Sequence, residues 1–492
     1  MAGGFAGKVT DKFLIFVSNK DKNNKGDKMS KKEKQLMFKI KKGKAEIVEA
    51  RGVKRAELDT VSARPEPVTK NNGSGWFRLD NAATIYPSSV KENWNFVFRV
   101  ACVLKTKVRP DVLQQALDDI MPRFPTFDVY LKAGLFWNYF EHNPNQLKVE
   151  RETNFPCSCM KLGGKSHCVR VLYSDFKIAV EVFHAITDGR GATTFLNSLL
   201  ARYFELQGET ITYTGAVLNY LDLPAPEELE DSFFENATDE KASSHKESVA
   251  YNIRGTILDE GIVNTTTGTL SVKEIKEIAK KYDCKLTTFL AAVLCQVIIK
   301  KRKNSKKPVK ISIPIDLRPW FDSKTLRNFS SYINIAICDK NASLEAIIST
   351  ISAEIAKIDR KYLEKNINSN VNLQKNWFIK LMPLCIKKGV MNLSYNLLGE
   401  RLQTFAFSNI GRVDAPPEFE KFIDHYEVNL GRSKHNAIAV GLISFGDKLS
   451  VTISSKLSEP ITERDFFKEL ASLGASVYIE SNRRDLYGGK NV

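Results

Sequence analysis

The hydrophobic pattern changes period repeatedly along this chain, and each change marks an element. Residues 95–104 form a Val- and Phe-rich run of strand type. In 109–120, Val112, Leu113, Ala116, Leu117 and Ile120 recur at helical spacing, so a strand and then a helix open the regular pattern. Strand-like runs follow at 136–140, 168–173 and 176–183, the last ending at His184, and helical periodicity resumes over 191–206. Residues 223–250 contain Pro224 and Pro226, many acidic and small polar residues and no consistent apolar period, which reads as a linker.

Beyond the linker, a strand at 267–270 precedes helices at 272–282 and 286–301, the second with Thr287 and Thr288 at its start. A buried-type strand at 309–315 is followed by helices at 344–365 and 375–398. Strands at 404–409, 426–430, 437–443 and 449–454 come next, and then a last helix at 462–478. No repeat of 20 to 50 residues recurs. The pattern implies the α/β (α+β) class, with two mixed halves at 76–222 and 251–492, each a sheet flanked by helices.

Composition sharpens this picture. A chain of 492 residues that is 43% hydrophobic has material for two cores. Eight cysteines are too sparse for a disulfide framework, and Cys102, Cys284, Cys295 and Cys338 lie in apolar runs, so a reducing, cytoplasmic setting is expected. The apolar stretch at 13–17 is too short for a secretory signal, and no run approaches the ~18 residues of a membrane span. The formal charge of +16 is concentrated early, where Lys31, Lys32, Lys34, Lys39, Lys41, Lys42 and Lys44 crowd together. Residues 1–75 are expected to be a basic, flexible extension with one structured piece at 36–49, and without interleaved aromatics they carry no nucleic-acid signal.

One segment carries chemistry. Glu181-Val182-Phe183-His184-Ala185-Ile186-Thr187-Asp188-Gly189 puts an imidazole at the end of an apolar strand, an aspartate four residues on, and a glycine-rich entry to a helix. Imidazole is mostly unprotonated at neutral pH and can take a proton from an alcohol, amine or thiol as it attacks a carbonyl. Asp188 is better placed to fix the loop through an ion pair than to touch the imidazole, and Arg318, in Pro314-Ile315-Asp316-Leu317-Arg318-Pro319, is the candidate partner. Gly189 and Gly191 allow positive φ and close backbone approach. Cys157, Cys159, His167 and Cys168 fit no standard zinc spacing, so no metal is expected. Gly163-Gly164-Lys165-Ser166 lacks the first glycine of a phosphate loop. His425 and His435 lie in or beside strand-like stretches, where they read as strand-edge polar groups.

Several separated motifs agree with the histidine segment: Arg78-Leu79-Asp80-Asn81-Ala82-Ala83 with Ile85-Tyr86-Pro87, Arg123-Phe124-Pro125, Asp316-Leu317-Arg318, Leu326-Arg327-Asn328-Phe329 and Ser408-Asn409-Ile410-Gly411. In their order and spacing the chain from about Trp76 to Tyr478 resembles the alcohol acetyltransferases of the chloramphenicol acetyltransferase-like superfamily, which is related to condensation domains. The resemblance implies two similarly folded halves with the active-site channel between them. His184 is then the catalytic base, Asp188, Gly189 and Arg318 support the site, and Asn328, Ser408 and Asn409 lie at the channel. It implies acyl-CoA as cosubstrate, a small alcohol acceptor, no bound cofactor and no covalent enzyme intermediate. Two alternatives remain: transfer from an acyl carrier protein to an amine or hydroxyl, and a catalytically silent binding protein on the same fold. The lysine-rich extension departs from the common pattern.

Overall fold

The computed structural model describes residues 75–90, 96–238, 247–302, 305–398 and 400–483, together with strands Lys12–Phe16, Gln35–Lys41 and Lys44–Glu49. The chain divides into two units, residues 1–66 and 67–492. In the first unit the three strands form an antiparallel sheet with Gln35–Lys41 in the centre. The hairpin of Gln35–Lys41 and Lys44–Glu49 falls where a structured piece was expected, and the strand Lys12–Phe16 adds to it outside that range; the rest of the expected extension up to residue 74 lies outside the described residues.

The second unit is built on two larger sheets. A five-stranded sheet runs in the order Ile423–Leu430, Val97–Leu104, Lys177–Phe183, Val169–Tyr173, Val149–Arg151, antiparallel except for its last pair. Helices Pro110–Ile120 and Gly189–Glu205 bury their apolar faces against it, so that Leu113, Leu117, Phe195 and Leu199 share one core with Val100, Ile178, Val180 and Val182. Pro110 opens its helix at a position that has no use for an N–H.

A seven-stranded mixed sheet runs in the order Ser330–Ile337, Val309–Asp316, Phe405–Arg412, Ile438–Phe445, Lys448–Ser455, Asn264–Ser271, Tyr478–Ser481. Helices Leu286–Lys301, Leu344–Ala356 and Ile461–Ser472 cover it around a second core of Ile311, Phe405, Val440 and Val451. Leu286–Lys301 is buried along nearly its whole length, and among the described residues no single helix is long and apolar enough to cross a membrane. A small sheet of Trp76–Arg78, Asn138–His142 and Val129–Ala133 completes the unit.

Element boundaries depart from the sequence pattern where capping overrules hydrophobic period. The helix expected over 344–365 is two: Asp359 caps a new start by accepting from the Tyr362 N–H, giving Leu344–Ala356 and Arg360–Lys375. The helix expected over 375–398 breaks beside Pro383 into Trp377–Leu381 and Leu384–Leu398. The strand Ser330–Ile337, which the sequence reading left out, alternates buried Ile333, Ile335 and Ile337 with more exposed neighbours along the sheet edge. The expected linker carries short helices Pro226–Leu229 and Ser232–Glu235, and its acidic residues are anchors: Glu228 takes both terminal nitrogens of buried Arg123 at 2.6 and 2.8 Å.

The second expected half lends a strand to the first. Ile423–Leu430 hydrogen-bonds into the first sheet, yet the next strand, Ile438–Phe445, lies in the second and crosses close behind it. Gly441 sits at that crossing, where a Cβ would stand 2.6 Å from the Val428 carbonyl oxygen and 2.7 Å from Val428 Cγ1. Gly441→Ala is therefore expected to destabilise the protein by about 1–3 kcal/mol through backbone displacement, measured by chemical denaturation; unchanged stability would show that the crossing has slack.

Candidate active site

The strand Lys177–Phe183 delivers His184 to the point where its chain stops pairing, and the His184 N–H donates to the Phe96 carbonyl at 2.7 Å. The half-buried imidazole is stacked on Tyr86, with centroids 5.0 Å apart and planes at 26°, and tilted against Phe98 at 4.8 Å. Burial, with the nearby Asp80 and Asp188 carboxylates, pushes the Tyr86 phenol up and keeps it neutral. His184 Nδ1 lies 3.0 Å from Asn328 Oδ1. The histidine comes from the first expected half and the asparagine from the second, so the site forms where the two meet.

Asp188 turns away from the imidazole. It caps helix Gly189–Glu205, accepting from the Gly191 N–H at 3.3 Å. Its carboxylate meets Arg318 in a buried two-pronged pair, Nη1 to Oδ2 at 2.9 Å and Nη2 to Oδ1 at 3.1 Å, and also accepts from the Phe329 N–H at 3.0 Å. Burial alone would raise the Asp188 carboxyl. The Arg318 charge and hydrogen bonds, with the Phe329 and Gly191 amides, outweigh it and hold the group below its ordinary value. Arg318 is itself filled, donating to the carbonyls of Thr325 at 2.8 Å and Arg327 at 2.6 Å and to Asp316 Oδ1 at 3.0 Å.

Neither Gly189 nor Gly191 adopts the positive φ that the sequence reading allowed for. What Gly191 supplies is space: a Cβ there would lie 2.1 Å from Thr187 Oγ1 and 2.3 Å from the Leu326 carbonyl oxygen. Thr187 uses that closeness to donate to the same carbonyl at 2.5 Å. A Cβ on Gly189 would press on Ile410 at 3.1 Å, which brings strand Phe405–Arg412 against the helix start. Ser408 and Asn409 lie on that strand. The Asn409 amide donates to Thr287 Oγ1 at 2.8 Å and accepts from the Gly411 N–H at 2.8 Å, tying the strand to helix Leu286–Lys301 rather than to His184.

Asp80 and Tyr86 reach the site without a role assigned from sequence, although both lie in quoted motifs. Asp80 is fully buried and bonded to Asn328 through Nδ2 at 3.0 Å and through the backbone N–H at 3.2 Å. The signal the sequence offered was an acidic residue directly after Leu79 in a motif at the start of the globular sequence.

The remaining candidates separate from the site. Cys157 and Cys168 are buried, the Cys157 thiol donating to the Asn429 carbonyl, while His167 turns to Asp128 at 3.2 Å. Among the described residues, the one group of His, Cys, Asp or Glu side chains close enough to share an ion is His425, Glu427 and Glu480. Lys177 already occupies Glu427 at 2.7 Å and Asp424 holds His425 Nδ1 at 2.7 Å, so charge there is balanced by protein groups. These residues line cavities of about 750 and 460 Å³ that open beside Lys177, at the opposite end of the strand from His184. Neither cavity is lined by His184.

Asp188→Ala is expected to lower stability by about 3–5 kcal/mol, because it leaves the Arg318 guanidinium buried without its main counter-ion. The folded-state carboxyl lies below the unfolded value of about 3.9, so the pair stabilises above that pH and its contribution is lost on acidification. The melting-temperature gap between wild type and Asp188→Ala should narrow below about pH 4; equal melting temperatures at pH 7 would overturn the structural role.

No family model and no curated protein matches the chain by sequence. Solved structures match it by shape. Trichothecene 15-O-acetyltransferase TRI3 from Fusarium sporotrichioides is 11% identical with a TM-score of 0.52, covering 82% of this chain and 97% of its own. F. sporotrichioides TRI101 complexed with coenzyme A and T-2 is 12% identical with a TM-score of 0.53, covering 82% and 99%. The starter condensation domain of rhizomide synthetase in complex with C8-CoA is 12% identical with a TM-score of 0.52, covering 81% and 94%. With two mixed sheets meeting at the strand-to-helix turn that carries His184, the chain has the chloramphenicol acetyltransferase-like fold shared by acetyltransferases and condensation domains.

Proposed function

We propose that this chain is an acyltransferase that moves an acyl group, acetyl or another short chain, from the thioester of coenzyme A to the hydroxyl of a small alcohol, with His184 as general base. The observation that carries the reading is the placement of His184: an imidazole at the end of a rigid strand, bonded at Nδ1 to Asn328 and wedged against Tyr86 and Phe98. Two structures of like fold were solved with coenzyme A or an acyl-CoA, and a third is an O-acetyltransferase by name, which supports a CoA thioester as donor and a hydroxyl as acceptor.

With Nδ1 engaged, Nε2 is the ring nitrogen left for chemistry. It takes the hydroxyl proton as the alcohol oxygen attacks the thioester carbonyl, giving a tetrahedral intermediate. The intermediate collapses with cleavage of the carbon–sulfur bond, and the imidazolium returns the proton to the leaving thiolate. Ester and free thiol result, and no enzyme atom is acylated. Asp188 and Arg318 take no part in proton transfer; they hold the turn on which His184 stands. No group beyond the two substrates is required by these steps.

Thiol release from acetyl-CoA should depend on an alcohol acceptor, and His184→Ala should reduce it by roughly 10²–10⁴-fold, the usual size of a general-base contribution, while the protein stays folded. Full activity in the variant would remove His184 from catalysis. Release with amines alone, or only from a carrier-bound thioester, would move the reading to condensation-type transfer.

A further inference from the structure

We infer that Asp80 is a positioning residue that acts through the Asn328 side chain to decide which nitrogen of His184 carries the proton. The inference rests on His184 as the base and assigns the groups behind it. Asp80 is fully buried, and each of its oxygens already receives a backbone N–H: Oδ1 from Ala83 at 2.7 Å and Oδ2 from Asn328 at 3.2 Å. Backbone N–H groups only donate, so both oxygens face the protein as acceptors. The Asn328 amide must then turn its NH₂ to Asp80 Oδ2, which lies 3.0 Å away, and its oxygen to His184 Nδ1, also 3.0 Å away. An amide oxygen also only accepts, so the proton on the neutral ring sits at Nδ1 and the lone pair at Nε2.

The other groups around Asp80 act on its carboxyl in both directions. Burial and then the Asp80 charge raise the carboxyl of Asp231, which accepts from the Asn81 N–H at 2.8 Å, and burial raises that of Asp80 itself. Arg327, with Nε 3.9 Å from Oδ2, and the three N–H donors oppose that. Tyr86 and Phe98 fix the plane of the ring, so the asparagine needs only to select the tautomer. Free imidazole of histidine favours the proton on the other nitrogen, the arrangement in which Nε2 cannot act as a base. An Asn328 held by Asp80 reverses that preference.

The test is nitrogen NMR on protein labelled with ¹⁵N-histidine, which reads the protonated ring nitrogen whether or not a substrate is known. His184 is assigned among the six histidines by loss of its signals in His184→Gln. Wild type is expected to show the proton on Nδ1. Asp80→Asn replaces an obligate acceptor with an amide that can present either end, so the His184 signals should move towards the Nε2-protonated form. Should Asp80→Asn fail to fold, Asn328→Ser keeps Asp80 and its Ala83 bond and should give the same change. In turnover, Asp80→Asn should lower kcat by roughly 10²-fold with KM within about twofold, as expected when the base is present in the wrong form. Asn328→Asp places a carboxylate at Nδ1; it should retain the Nδ1–H form and shift the rising limb of the kcat/KM profile to higher pH. An Nε2-protonated ring in wild type, or an unchanged tautomer in both Asp80→Asn and Asn328→Ser, would overturn the inference. A wild type with the expected tautomer and no acyl transfer would instead count against the proposed function alone.

Discussion

A carboxylate and a guanidinium withdrawn from water together hold this site in shape. The Asp188 and Arg318 side chains are each more than nine-tenths buried, and neither could stay charged there without the other. Asp188 belongs to the turn after His184 and Arg318 follows a strand of the other large sheet, so their pairing registers the two sheets against one another. Desolvation makes the pair costly to form and far more costly to break on one side. That asymmetry is what makes it a fixed point rather than a surface contact.

A second consequence lies in the segment 325–329. Its backbone is held at every residue: the carbonyls of Thr325 and Arg327 accept from Arg318, the Leu326 carbonyl accepts from Thr187, and the N–H groups of Asn328 and Phe329 are taken by Asp80 and Asp188. Two buried carboxylates thus grip adjacent residues of one strand-like stretch. Between them the Asn328 side chain projects to His184, with little freedom to present its amide any other way. Preorganisation of this kind lets an imidazole meet a reacting proton without rearranging its surroundings.

The polar groups at the other end of the strand contrast with this arrangement. His425 sits between Asp424 and Glu427, and burial, which would lower it, is outweighed by those two carboxylates, so its imidazole is favoured in the charged form. Lys177 and the histidine together hold the Glu427 carboxyl at about 2 despite its burial. A histidine locked between carboxylates is held as a cation, whereas His184 meets only a neutral amide oxygen at Nδ1. Residue type is the same in both places; the partner decides the chemistry.

Much of this protein was legible in its sequence. Period alone located the strand that ends at His184, the helix that follows, and the core helix Leu286–Lys301, because burial of an apolar face is a local property of spacing. The pairing of Asp188 with Arg318 was also within reach, since a carboxylate after a buried strand needs a cation. Other features were decided only by tertiary structure. Gly191 is needed for room against the Leu326 carbonyl and not for its φ, a fact that depends on a segment 135 residues away. Asp80 and Asn328 are separated by 248 residues, and no spacing rule links them to His184. Helix breaks at Asp359 and Pro383, and the pairing of the expected strand near 426–430 with the sheet of the other half, likewise escaped the pattern. Hydrophobic period reports which face of an element leaves water. Which buried polar groups then find one another is settled only when the sheets meet, because the cost of an unpaired buried donor or acceptor is paid by the assembled core and not by any single segment.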